Sequence, residues 1–220
     1  MPLPLLLVPV GVAVVAVIGG GIALVLSRIA KKLENRRVAI LGGAKVGKTT
    51  LLRTLRDATV PDRALTMLDH SWAGRFEMDV RGRSVEFDVP RDIAANDLDL
   101  SYKSWKDAFT EAHYVWYLFR ADLVAAGDPD TLDRVKGHLA RFKGWMDADK
   151  SLRPRIILIG THADVSPQFE ADSGKLIDAV RSASPIKLGM VKLNHADLVV
   201  GSLLTDKDAK RLIRRLGSHL

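Results

Sequence analysis

Residues 42–49 read GGAKVGKT, which matches the pattern GxxxxGK[ST] and stands between the apolar run Val38–Leu41 and the stretch Thr49–Arg56. The pattern alone arises by chance, so the test is whether a strand precedes the loop and a helix follows it. Arg37-Val38-Ala39-Ile40-Leu41 has the short apolar character of a buried parallel strand, and Leu51, Leu52 and Leu55 recur at helical spacing. In such a loop Gly42 and Gly47 let backbone N–H groups turn toward phosphate oxygens. Lys48 then brings its charge to the β and γ phosphates, and Thr49 offers a hydroxyl to Mg2+. The chemistry this predicts is binding of a nucleoside triphosphate with Mg2+. The candidate contacts are Gly42, Gly43, Ala44, Lys45, Val46, Gly47, Lys48, Thr49 and Thr50.

Elements that could position the loop follow in order. RFEMDV (75–80) and SVEFDV (84–89) alternate around Arg81-Gly82-Arg83 as a hairpin, and the second strand closes on Asp88, an acid placed to be a second Mg2+ contact. YVWYLF (114–119) reads as a buried strand. Thr131 to Met146 reads as a helix with Leu132, Val135, Leu139, Phe142, Trp145 and Met146 on one face. RIILIG (155–160) is a strand running into THAD (161–164), and DLVVG (197–201) runs into Ser202. Asp206 to Leu216 closes the chain as a helix. Strands alternating with helices predict an α/β fold whose sheet is mostly parallel and covered on both faces.

Composition limits the alternatives. A hydrophobic fraction of 47% gathered in separated runs excludes a disordered chain. With no cysteine there is neither a disulfide framework nor a thiolate metal site, so an oxygen-ligated ion carried with a nucleotide is the metal to expect. The net charge of +7 is spread along the chain and rises just after the N-terminal stretch and at the C-terminus, which argues against nucleic acid and toward anionic lipid.

Leu3 to Leu26 carries no charge, and as a helix it would extend about 36 Å, enough to cross a hydrocarbon core of about 30 Å. A signal peptide would have a basic start and a shorter apolar stretch. The charges instead follow the run, as Arg28, Lys31, Lys32, Arg36 and Arg37, which places the C-terminal side in the cytoplasm. The expected organisation is a transmembrane anchor over 1–27, a basic linker over 28–36 and one globular domain over 37–220.

From residue 36 on, the sequence resembles the small Ras-like GTPases, within the P-loop NTPases. GGAKVGKT stands as their phosphate loop and DVPR (88–91) where they have Asp-x-x-Gly. THAD stands where they have Asn/Thr-Lys-x-Asp, and GSL (201–203) near their Ser-Ala motif. The resemblance implies a three-layer sandwich around a six-stranded sheet, preceded here by one transmembrane helix. It implies GTP and GDP as ligands and a protein effector or regulator as partner. Thr161, His162, Asp164, Ser202 and Leu203 become base-site candidates, with Asp164 accepting two hydrogen bonds from guanine, a donor pair adenine lacks. The variant Thr-His-x-Asp is similar to that of Roc-type GTPases, with the flat imidazole of His162 in place of a lysine stem. The layout of membrane span and Ras-like domain is similar to the beta subunit of the signal-recognition-particle receptor, a likeness of arrangement that does not transfer function.

The resemblance also assigns catalytic candidates: Lys48, a switch threonine at Thr66 with Thr59 in reserve, and Arg91 and Asp92 in the second switch. Thr66 would also join Thr49 and Asp88 on the metal. Arg91 stands where the family has glycine, and Asp92 where it has a water-orienting glutamine. Asp92 would bring negative charge toward an anionic transition state, so hydrolysis of GTP to GDP and phosphate is expected to be slow. A GTP-binding scaffold with negligible turnover and an ATP-binding P-loop NTPase are the alternatives. Lys45 occupies a loop position that is glycine in Ras and asparagine in potassium-activated members, where its ammonium could stand near the β–γ bridge.

Overall fold

The computed structural model describes residues 11–57, 73–90, 98–167, 169 and 173–220. Six strands form one sheet in the order β2-β3-β1-β4-β5-β6. They are β1 (Arg37–Gly42), β2 (Gly74–Asp79), β3 (Ser84–Val89), β4 (Tyr114–Arg120), β5 (Arg155–Thr161) and β6 (Asp197–Val200). Only β2 runs antiparallel, as the first arm of the predicted hairpin, with Phe76 opposite Phe87. The expected six-stranded, mostly parallel α/β sheet is therefore present.

Eight helices among the described residues accompany it: α1 (Gly11–Leu33), α2 (Lys48–Asp57), α3 (Leu98–Glu111), α4 (Ala121–Ala125), α5 (Pro129–Ala148), α6 (Ser173–Ser182), α7 (Ser184–Lys192) and α8 (Asp206–Ser218). The sheet's alternation sorts its apolar side chains into two cores. Val38, Ile40, Phe87, Trp116 and Ile157 pack with α1, α2 and α8. Ala39, Leu41, Tyr117, Phe119 and Leu158 face α3, α5, α6 and α7. In the second core His138 of α5 is buried against Trp105 at 4.8 Å and shares a hydrogen bond of 2.9 Å with the Tyr117 hydroxyl. Burial lowers its pKa to about 4, so the ring is neutral.

The N-terminal segment differs from expectation in one respect. Helix α1 crosses both the boundary drawn at residue 27 and the linker drawn at 28–36. Ile22, Leu26, Ile29, Ala30 and Leu33 are all buried in the first core, at spacings of three and four that make one helical face. Arg28, Lys31 and Lys32 are exposed on the other face. The basic run is thus the outer side of an amphipathic helix whose inner side belongs to the domain. A turn follows, with the Arg36 N–H donating to the Leu33 carbonyl (2.9 Å), and Glu34 pairs with Arg83 at the start of β3. Among the described residues no helix is long and apolar enough to cross a membrane.

Packing of α1 predicts the outcome of truncation. A chain starting at residue 28 lacks Ile22 and Leu26, each contributing roughly 1.5–3 kcal/mol by burial. A chain starting at residue 21 keeps both. The longer chain is expected to unfold at a clearly higher urea concentration, and coincident midpoints would show that Ile22 and Leu26 add nothing to the core.

Candidate nucleotide site

Parallel strands bring their C-terminal ends to one edge of the sheet, and the chemistry-bearing loops leave from that edge. The register sets Gly42 beside Leu118 and Arg120 beside Thr161, with Gly160 beside Val200. The phosphate loop (after β1), the THAD segment (after β5) and Gly201–Leu203 (after β6) are therefore neighbours, although 42 and 201 lie far apart in sequence.

The loop is shaped by backbone that most residues avoid. Gly42 has φ of +149°, and a Cβ there would stand 2.5 Å from the Leu118 carbonyl oxygen, so only glycine fits. Lys45 has φ of +60°, in the left-handed region that glycine and asparagine adopt more readily than lysine. Its side chain is exposed. Lys48 is buried at the first turn of α2, where its ammonium donates to the carbonyls of Gly42 and Gly43, both at 2.8 Å. Its charge is thus held inside the loop's curve. Lys48 also begins α2, and a helix N-terminus favours an anion beside it. Thr49 and Thr50 follow as partly buried residues of that turn.

Thr161 connects this loop to the base motif. It is fully buried, and its hydroxyl lies 2.9 Å from the Val46 carbonyl and 3.1 Å from the Phe119 carbonyl, either of which can accept its proton. The ring of His162 stands at 2.9 Å through Nδ1. His162 itself has φ of +58°, a left-handed residue that turns the chain from β5 into the short 3-10 turn Ala163–Val165. Burial, then the nearby Arg120 guanidinium, lowers the pKa of its imidazole below the ordinary 6.5. A neutral, half-buried ring is suited to lie against a flat base.

Asp164 is the middle residue of that short turn, and its carboxylate accepts a hydrogen bond from the Ser202 hydroxyl. Ser202 is buried and accepts in turn from the Leu204 N–H at 2.9 Å. One carboxylate oxygen is held from the end of β6 while the residue remains partly exposed. Leu203 packs under the phosphate loop: a Cβ on Gly47, where φ is +89°, would meet Leu203 Cδ1 at 3.1 Å. Two residues not singled out by any motif border this site. Arg120 donates through Nε to Asp122 at 2.7 Å, and this pair flanks His162. The only signal for it was position, directly after a buried strand.

Asp88 lies one residue before the end of β3, in register with Ala39. Its partner is Arg75 on β2, at 3.5 Å, and burial raises its pKa while Arg75 works in the opposite direction. Among the described residues no group of three or more acidic or histidine side chains could hold a metal ion. The oxygen donors of Thr49 and Asp88 are of the type Mg2+ accepts. Thr66, Thr59, Arg91 and Asp92 lie outside the described residues.

No protein-family model matches the chain, and no curated protein matches it in sequence. Solved structures do match in shape. One is a GTP-binding protein from the hyperthermophilic archaeon Sulfolobus solfataricus in complex with GDP, with a TM-score of 0.51 and 14% identity over 83% of this chain and 52% of that one. Another is SsGBP in complex with GDP, with a TM-score of 0.51 and 16% identity over 83% of this chain and 50% of that one. A third is the signal recognition particle receptor SRb-GTP/SRX complex from Chaetomium thermophilum, with a TM-score of 0.53 and 13% identity over 83% of this chain and 97% of that one. The fold is a small GTPase-like P-loop fold. The chain spans about half the length of the first two structures. At these identities the likeness is one of fold, and what this chain binds must be argued from its own residues.

The Ser202 contact generates a test. Ser202→Ala removes the donor that fixes Asp164, and loss of one such hydrogen bond to a charged group is worth roughly 1.5–3 kcal/mol. Affinity for a fluorescent GDP analogue is expected to fall at least about tenfold, a factor that corresponds to about 1.4 kcal/mol. Unchanged affinity would show that Asp164 needs no support from Ser202.

Proposed function

We propose that this chain is a membrane-anchored guanine-nucleotide-binding protein that takes GTP or GDP with Mg2+ and hydrolyses GTP slowly, as a molecular switch. The observation that carries the reading is the placement of Asp164. Its carboxylate is held by Ser202 on the strand edge that also carries the phosphate loop, and Thr161 ties the two together. A nucleotide lying across that edge would meet phosphate donors at one end and a two-fold acceptor at the other.

Lys48 would exchange the Gly42 and Gly43 carbonyls for phosphate oxygens, a charge-assisted contact stronger than the one it leaves. Thr49 and Asp88 would hold Mg2+ together with the phosphates, which requires Asp88 to give up Arg75. The bound ion would supply charge neutralisation at the β and γ phosphates. Arg91 and Asp92 motivate slow turnover, because neither the flexible glycine nor the neutral glutamine of the resembled family is present. The γ-phosphate would order the loops that bear Thr66 and Arg91–Asp92, and a protein effector or regulator would read that difference. A GTP-bound scaffold without turnover is the second reading, and single-turnover hydrolysis of bound GTP separates the two.

The membrane part rests on the uncharged sequence from Leu3 to Gly21. This is the part of the apolar run that precedes Ile22, which is buried in the domain's first core.

Two substitutions test the nucleotide assignment. Lys48→Ala is expected to abolish measurable triphosphate binding, and retention of wild-type GTP affinity would remove the phosphate-loop assignment. Asp164→Asn replaces a two-fold acceptor by a group with one donor, which then faces a guanine donor. Guanine affinity is expected to fall by several powers of ten. Xanthosine nucleotides, which carry an oxygen in place of the amino group, are expected to gain. A variant that keeps guanine affinity within about threefold, well short of mispaired-site discrimination, and gains nothing for xanthosine would show that Asp164 does not read the base.

A further inference from the structure

Polarity of α1 determines which side of the domain its apolar sequence leaves from. The C-terminal end of α1 lies where the parallel strands begin, since Glu34 pairs with Arg83, directly before β3. The chain then enters β1 at Arg37. Helix α8 also ends at that side. The Leu220 carbonyl accepts from Arg155, the first residue of β5 (3.0 Å), and His219 contacts Asp197, the first residue of β6 (3.0 Å). The two helices lie against each other, with Gly217 facing Ile29 and Val25. They therefore run side by side with the same polarity. Going toward its N-terminus, α1 climbs from the strand starts to the strand ends, the edge that carries the phosphate loop and THAD.

Lengths fix where it arrives. Leu33 to Ile22 covers about 16 Å of helix, and a six-residue strand covers about 20 Å. The packed face of α1 is thus used up near the strand ends. Directly before Ile22 stand the 19 uncharged residues Leu3 to Gly21, close to the about 20 residues a hydrocarbon core takes to cross. A span formed by them runs straight into Ile22 with no spacer between. Three of the exposed large apolar residues among the described ones lie at this edge, while Leu188 and Val191 are on α7. Val165 is 55% exposed in the turn after THAD, Leu204 is 46% exposed just after Leu203, and Leu24 is 64% exposed near the upper end of the packed part of α1.

We propose that the sheet edge carrying the phosphate loop faces the lipid surface, with Val165 and Leu204 entering the headgroup region beside α1. This rests on the reading of Leu3–Gly21 as a membrane span. It adds an orientation: nucleotide enters and leaves along the bilayer, and a partner that reads the loops approaches from the side of the domain rather than from below. A large body cannot reach that edge from above.

The chain has no cysteine, so single introduced cysteines report one place each. The full chain is reconstituted into phosphatidylcholine vesicles with brominated acyl chains, carrying an environment-sensitive fluorophore on Leu204→Cys or, independently, on Val165→Cys. Val191→Cys is the reference for the opposite side, because Val191 is 63% exposed beside Asp197 and His219. Blue-shifted emission and several-fold stronger quenching at 204 and 165 than at 191 is the expected result. Quenching at 191 equal to or above that at 204 and 165, or none at any position, overturns the orientation. Alkaline carbonate extraction of the same vesicles separates the two readings. A chain released from the vesicles defeats the span and the orientation together. A chain retained with unquenched labels at 204 and 165 defeats the orientation alone.

Discussion

The hydroxyl of Thr161 is the contact on which the site's geometry depends. It is fully buried between carbonyls of Val46 and Phe119, so β5, β4 and the phosphate loop meet at one atom. A buried hydroxyl without partners would cost roughly 1–3 kcal/mol, and the loop carbonyl of Val46 would lose a donor as well. That mutual need fixes the distance between the part of the site that would hold phosphate and the part that would hold the base. Ser202 extends the same logic one strand further, and Leu203 fills the space beneath Gly47. Three segments far apart in sequence thereby become one continuous surface.

Preorganisation here is incomplete in an informative way. Lys48 satisfies its ammonium on the loop's own carbonyls, and Asp88 satisfies its carboxylate on Arg75. Both charges are buried, and both have a partner that a phosphate or a metal would have to replace. The exchange is favourable for Lys48, because a phosphate offers full negative charge where the carbonyls offer a dipole. For Asp88 it is more nearly balanced, since Arg75 already brings a full positive charge. Arg75 also contacts Glu111 and Glu86, so it has other acceptors when Asp88 turns away.

Much of this was legible in the sequence because the signals were local. A strand, a glycine-rich turn and a helix in that order carry their own meaning, as do the alternating arms around Arg81-Gly82-Arg83 and the apolar run into THAD. What was not legible were contacts between segments, such as Arg75 with Asp88, Arg120 beside His162, and the left-handed backbone at Lys45. The N-terminal helix is a different case. Apolar residues that cross a bilayer and apolar residues that fill a core have the same composition, so the length of the uncharged run could not say where one use ended and the other began. Periodicity could have helped. Ile22, Leu26, Ile29 and Leu33 repeat at helical spacing while Arg28, Lys31 and Lys32 fall between them, which is the pattern of a helix lying on a protein surface.

That pattern also changes what the basic residues are for. A charged linker would hold the domain at a variable distance from whatever the N-terminal stretch engages. A helix whose inner face is buried against α8, with Gly217 against Ile29 and Val25, has instead a fixed position and direction on the domain. Adding even one methyl at Gly217 would press on Ile29 at 3.1 Å, so the two helices approach as closely as a side-chain-free contact allows. Through α8 the same rigidity reaches Ser202 and Leu203, because α8 begins just after them and packs Leu212 against Gly201. Helix α1 and the segment that holds Asp164 are therefore joined through α8 as parts of one packed unit.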